Sequence, residues 1–213
     1  MTIDAVVLAG GRSSRLSGTP KAALIYRGIS LLDRAVQAAL DADARAVVVV
    51  GTQRTTIADA RIASTREEPP FGGPAAGIGA GIAALARIHA DHSADFTLVL
   101  ACDLPEVARA IEPLLNSIPL AGGVDGLLLV DADDRQQPLT AVYRSTALAA
   151  AVDSRSHHAP LEGLSMRALI ADLRLDSVPA TCGTTADVDT WADAASHGIA
   201  VPPEFATTIT QEE

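Results

Sequence analysis

Short runs of β-branched residues and leucine alternate along this chain with alanine-rich stretches of helical period, and that alternation leaves few folds open. Asp4 to Ala9 (DAVVLA) has the composition of a strand buried on both faces and stopped by glycine. Ser30 to Ala42 reads as a helix with Leu31, Leu32, Ala35, Val36 and Ala39 on one face. Ser30 and Asp33 are spaced as a capping box at its start. Arg45 to Gly51 is the next strand, Pro74 to Ala90 a proline-initiated helix, and Asp95 to Asp103 a strand ending in an acid. Val107 to Ser117 reads as a helix, against the opposing signal of Pro113. Asp125 to Val130 and Pro138 to Tyr143 read as strands around an acidic turn. Thr146 to Asp153 and Leu161 to Leu173 read as helices, Leu175 to Ala180 as a strand, and Thr190 to His197 as a last helix. Strand and helix in turn over one domain specify an α/β fold, a mostly parallel sheet wrapped by helices. Ligands of such sheets lie beyond the carboxyl ends of the strands, which singles out Ala9 onward, Gly51 onward and Cys102-Asp103.

Composition narrows the class further. A chain of 213 residues, 48% hydrophobic and 20% charged, can bury one full core and is too apolar for disorder. One domain over residues 1–200 is expected, with a polar, proline-led and disordered tail over 201–213. The net charge of −10 argues against nucleic acid or an anionic membrane as partner, since either needs a broad basic surface. No run of about 20 apolar residues is present to span a bilayer. The start, Met1-Thr2-Ile3-Asp4, has neither the basic nor the apolar segment of a secretory signal. Cys102 and Cys182 are too few for a metal cluster and fit a reducing compartment, so a cytoplasmic protein is expected.

The segment after the first strand carries the strongest chemical signal. Leu8-Ala9-Gly10-Gly11-Arg12-Ser13-Ser14-Arg15-Leu16-Ser17-Gly18-Thr19-Pro20-Lys21 is rich in glycine, whose backbone can turn sharply and present N–H groups to a ligand. From Ala5 to Leu32 the chain has Arg12, Arg15, Lys21 and Arg27 and no acid, a local inversion of its overall charge. Lys21 is also its only lysine, beside 15 arginines. Backbone donors with fixed cations suit several phosphates. Neither the Walker A pattern nor G-x-G-x-x-G is present.

Acids supply the complementary half. Asp103, ending a buried strand, is placed as a Mg²⁺ ligand, or else as the cap of the following helix. Asp187 and Asp189 alternate in an extended stretch, so both carboxylates face one side. They suit a metal, although Asp189 or Thr190 would equally cap the last helix. The small residues of Gly72 to Gly77 admit either a flat ligand or close helix packing. The histidines show no zinc spacing, and no Gly-x-Ser-x-Gly nucleophile is present.

Taken in series, these motifs resemble the MobA-like nucleotidyltransferases, and among them most closely the molybdenum cofactor guanylyltransferases. The opening loop of that family, L-A-G-G-x-S-x-R-[ML]-G-x-x-K, reads here from Leu8 to Lys21, with Ser17 where glycine is usual. Its G-P-L-A-G reads Gly73-Pro74-Ala75-Ala76-Gly77, and its C-D-x-P reads Cys102-Asp103-Leu104-Pro105. Gln137 to Tyr143 and Asp187-Val188-Asp189-Thr190 match its two later segments.

The resemblance implies a Rossmann-like, three-layer α/β/α sandwich. It implies Mg²⁺-dependent transfer of GMP from GTP to the phosphate of Mo-molybdopterin. Leu8, Ala9, Gly10, Gly11, Gly51, Glu67 or Glu68, Gly73 and Pro74 would then contact the nucleotide. Arg15 and Lys21 would neutralise the triphosphate, and Asp103, with Asp187 and Asp189, would hold the metal. Transfer of CMP from CTP, or to another phosphorylated small acceptor, remains the alternative within enzymes. A non-catalytic nucleotide-binding module is the alternative outside them.

Overall fold

The structure, a computed structural model, describes residues 1–11, 13–52, 54–90, 92–118 and 122–200, with Ser14 by its backbone alone. Arg12 of the loop and the expected tail from Pro202 lie outside the described residues. In chain order the elements are β1 (Ile3–Leu8), β2 (Ile25–Tyr26), β3 (Ile29–Ser30), α1 (Leu31–Asp41), β4 (Val47–Val50), β5 (Ile62–Thr65), α2 (Pro74–Ile88) and β6 (Phe96–Ala101). They continue with α3 (Val107–Ser117), β7 (Gly126–Val130), β8 (Gln136–Arg144), α4 (Ser145–His158), α5 (Met166–Leu169), β9 (Leu175–Pro179) and α6 (Trp191–Ser196).

Seven strands form one sheet in the order β5-β4-β1-β6-β8-β7-β9. Only β8 runs against its neighbours, and every other pairing is parallel. Strand periodicity explains the layering, because successive side chains point to opposite faces. Ala5, Val7, Val47, Val49, Leu98 and Leu100 join α1 and α3 in one core. Val6, Val48, Val50 and Val99 join α2, α4 and α5 in the other. On that second face α2 lies hard against the sheet: a Cβ on Gly81 would meet Val6 Cγ1 at 2.6 Å. No helix among the described residues is long and apolar enough to cross a membrane.

Several boundaries differ from those expected. The capping box of α1 forms by half. Ser30 Oγ accepts from the Asp33 N–H at 3.0 Å, but the Asp33 carboxylate turns away to accept from Thr55 and Thr56. Leu161 to Leu173 holds only the one-turn α5, because Ser165 caps a fresh start by accepting from the Ala168 N–H. Helix α4 runs on to His158, and Pro113 is accommodated inside α3.

Two features fix the place of the site. Leu8 is in register with Val50 on one side and Ala101 on the other, so β4, β1 and β6 end level. The chain leaves β1 toward β4 and β5 on one side and reaches β6 on the other, which opens a crevice at their carboxyl ends. A third, small core of Leu16, Leu24, Tyr26, Leu31, Val188, Trp191, Ala194 and Ile199 then joins the loop after β1 to the segment around α6.

Candidate active site

The crevice is a cavity of about 790 Å³, within the range of small-molecule sites. Backbone from Leu8 to Gly11 forms one wall, Gly73, Pro74 and Gly77 at the start of α2 a second, and Ala101 to Asp103 a third. Ser13, Arg15, Lys21 and Asp189 close the rim.

The loop after β1 is folded upon itself. Ser13 and Ser17 hold left-handed conformations (φ 44° and 52°) on either side of a single 3₁₀ turn, Ser14–Leu16. Ser13 accepts at its carbonyl from the Leu16 and Gly18 N–H groups, and at Oγ from the Lys21 N–H at 3.3 Å. Leu16 is fully buried in the third core, so Arg15 beside it is turned outward and is 73% exposed at its side chain.

Lys21 crosses the rim to the acids. Its Nζ donates to Asp103 Oδ2 at 3.4 Å and pairs more closely with Asp189 Oδ1. Arg15 reaches the other oxygen of Asp189 at 3.5 Å. Asp103, Asp187 and Asp189 each offer an oxygen within 4.8 Å of the others'. Val188 is buried between the two later acids, and its N–H donates to the Asp103 carbonyl at 3.0 Å. The alternation expected of Asp187-Val188-Asp189 is therefore present, with the apolar residue turned into the core and both acids turned to Asp103.

Neither acid is needed as a helix cap. Thr190 caps α6 through a complete capping box with Asp193, and α3 begins at Glu106 without any side-chain cap.

Charge in the site is finely divided. Burial opposes the Lys21 ammonium, but Asp103 and Asp189 outweigh it, and its pKa stands above the ordinary lysine value. Burial of the carboxyl, reinforced by Asp103 and Asp189, holds Asp187 above the ordinary carboxylate value. Burial, with Asp103 adding to it, pushes the Cys102 thiol up to about 12, which leaves it an inert wall residue. Cys102 and Cys182 are both free. Three carboxylate oxygens at such spacing suit a hard divalent cation, which takes oxygen ligands.

Several expected residues stand elsewhere. Glu68 points outward, 67% exposed, and pairs with Arg66 at 3.0 Å. Its buried neighbour Glu67 lines the cavity instead and accepts from the Phe71 N–H at 3.1 Å. Gly51 lies behind the wall rather than on it. A Cβ there would fall 2.8 Å from the Ala9 carbonyl carbon, so Gly51 allows β4 to close on the loop, and Val50 and Thr52 do the lining. Arg27 is drawn off to Glu106 at 3.2 Å and over the Tyr26 ring at 4.8 Å. Of the expected cations, Arg15 and Lys21 remain at the cavity, and they face Asp103, Asp187, Asp189 and Glu67, so the described site carries an excess of acid rather than of base.

Phe71 and Thr52 also line the cavity without having been singled out from sequence, as does Leu139, which was quoted only within the Gln137 to Tyr143 segment. Phe71 is 51% exposed at φ 64°, an unfavourable backbone for a bulky residue. The rarity of phenylalanine, with three in the chain, and its place beside Gly72-Gly73 were the available signals.

Comparison with known proteins follows the same outline. Residues 5–177 match the MobA-like NTP transferase domain. A probable molybdenum cofactor guanylyltransferase of Opitutus terrae is 34% identical over 145 residues, covering 68% of this chain and 68% of that protein. One of Clostridium perfringens is 25% identical over 143 residues, 67% of this chain and 66% of that protein's length. Among solved structures, molybdopterin-guanine dinucleotide biosynthesis protein A of Archaeoglobus fulgidus superposes with a TM-score of 0.62 at 18% identity, covering 91% of this chain and 96% of that one. The 2-C-methyl-D-erythritol 4-phosphate cytidylyltransferase of Francisella tularensis superposes with a TM-score of 0.68 at 14% identity, covering 93% and 99%. Both share the Rossmann-like nucleotidyltransferase fold.

Proposed function

This chain belongs to the MobA-like NTP transferase family, and from that premise we propose that it is a Mg²⁺-dependent nucleotidyltransferase that moves GMP from GTP to the phosphate of molybdopterin. The observation that carries the reading is Lys21 set against Asp103, Asp187 and Asp189 on the rim of a cavity walled by the Leu8–Gly11 backbone. The names of the Opitutus and Clostridium relatives support guanine and molybdopterin as the substrates.

The reaction needs no nucleophilic side chain. The acceptor phosphate attacks the α-phosphorus in line and pyrophosphate departs, so the protein contributes position and charge. Peptide N–H groups of the loop, together with the positive end of α2 at Gly73-Pro74, face the phosphates. Lys21 and Arg15 meet the charge that builds on the leaving pyrophosphate. Asp103, Asp187 and Asp189 would hold Mg²⁺, which would supply positive charge against the phosphates. Glu67 presents carboxylate oxygens beside Gly10, where a Cβ would stand 3.7 Å from Oε1. The Watson–Crick edge of guanine offers two adjacent N–H donors to such a group, and that of cytosine one. This difference supports GTP over CTP.

Pyrophosphate release measured with Mg²⁺, each of the four NTPs in turn and molybdopterin tests the proposal. Turnover with GTP is expected. Turnover with CTP alone would assign the chain to cytidylyl transfer, and tight nucleotide binding without turnover under any pairing would make it a sensor.

A further inference from the structure

The geometry points to Lys21 as a resident counter-ion that occupies the cation position of the acid cluster until nucleotide arrives, so that metal and lysine exchange places rather than sit together. This rests on the reading of Asp103, Asp187 and Asp189 as the metal ligands.

Three facts converge on it. Lys21 Nζ lies between Asp103 Oδ2, at 3.4 Å, and Asp189 Oδ1. Those two carboxylates belong to the trio whose oxygens approach within 4.8 Å, so the ammonium already occupies two of the three groups that a divalent ion would need. The Lys21 side chain is only 23% exposed and begins just after a loop pinned by Leu16, and Ser13 Oγ holds its backbone N–H.

Three like charges brought this close repel unless cations stand among them, and Lys21 supplies one. A divalent ion entering while the ammonium stays would meet a like charge at contact distance. A triphosphate in the cavity removes the conflict, because it offers Lys21 a second set of anionic oxygens a short swing away. The metal then takes the carboxylates that Lys21 releases. The ligand-free cluster is thereby kept neutral enough to fold, and it is guarded against picking up a cation without its nucleotide.

The prediction is that free protein binds divalent metal weakly and that removing the ammonium strengthens it. Mn²⁺ binding, followed by loss of the free-ion paramagnetic resonance signal, should be at least about 10-fold tighter in Lys21→Met than in the native protein. Asp103→Asn should weaken it in both backgrounds. Equal Mn²⁺ affinity with and without Lys21, still dependent on Asp103, would overturn the exchange and leave the metal site standing. Mn²⁺ affinity indifferent to Asp103 in both backgrounds would overturn the metal site, and the exchange with it.

A second measurement needs no variant. Lys21 is the only lysine, so protein labelled with ¹³C at lysine Cε gives one resonance. Adding tripolyphosphate with Mg²⁺ should move that resonance, and saturation with Mg²⁺ alone should move it also, over the same concentrations at which the metal binds. Metal bound at the cluster with the resonance unmoved would show that the two cations coexist and would defeat the proposal.

Discussion

Strand β1 has a charged cluster near each end, and the two are built from the same kinds of group to opposite effect. At the amino end Asp4 is 3% exposed and takes a two-point grip from Arg45, at 3.2 and 2.8 Å, with His89 at 3.5 Å. One acid meets a guanidinium that satisfies both of its oxygens, so the charge is matched even though Asp4 and His89 line a smaller cavity of about 320 Å³. At the carboxyl end three acids share Lys21 and an exposed Arg15, and the cluster opens on a cavity. Ionic chemistry alone does not mark a functional site. An excess of one sign, facing space that a ligand can fill, does.

The contrast can be broken most sharply by exchanging the loss of activity for the loss of stability. Asp103→Asn is expected to lower turnover by about 10³-fold, on the scale of removing a charged group from the transition state. Its melting temperature should stay within about 3 °C of native, because the substitution also relieves repulsion of Asp187. Pyrophosphate release and a thermal melt on one preparation check both halves. Lys21→Ala should lose at least about 10²-fold in rate. An unchanged rate would remove Lys21 from the mechanism.

At the other end, Asp4→Ala should cost about 2 kcal/mol by leaving Arg45 without its partner, while the folded fraction turns over normally. Urea unfolding together with turnover per folded molecule decides it. A loss of turnover would mean that the two clusters are coupled along β1.

Two smaller effects sharpen the picture of the loops between. Burial opposes the charge of Asp33, but hydrogen bonds from Thr55 and Thr56 outweigh it and hold its pKa below the usual 3.8. The stabilisation is therefore present above that value and is lost as pH falls through the depressed one. Asp33→Asn should be about 1 kcal/mol less stable at pH 7, and the gap should close below about pH 4. Thermal melts over that range are the check. Ser17→Gly should stabilise by about 1 kcal/mol, because Ser17 sits at φ 52°, a left-handed position that a Cβ disfavours.

What the sequence made legible follows the physics of each element. The β-branched runs of β1, β4 and β6 were readable because both faces of those strands are buried and apolar residues fill every position but Asp4 and Thr97. Strand β5 escaped notice because Ile62–Thr65 is an edge strand, with one large apolar residue and no fully buried one. The reversed direction of β8 was legible only in the short acidic turn that joins it to β7, since pairing sense leaves no mark on a strand's own composition. Lys21, Asp103, Asp187 and Asp189 were found by residue type and position, and the structure brings them together. Glu67 and Glu68 are adjacent in a segment without periodicity, and only the turn that sends Glu67 inward separates them. Arg27 counted as a phosphate cation until its actual partner, Glu106, came from a distant stretch.

The small core that joins Leu16 to Val188, Trp191 and Ile199 has a consequence for the timing of assembly. Domains take shape as they emerge during synthesis, amino end first. Here the loop after β1 has only the nearby Leu24, Tyr26 and Leu31 to lean on until α6 has left the ribosome. A nascent chain carrying β1, Lys21 and even Asp103 therefore still lacks half of the packing around Leu16, and the loop is fully supported only once its two distant stretches have met.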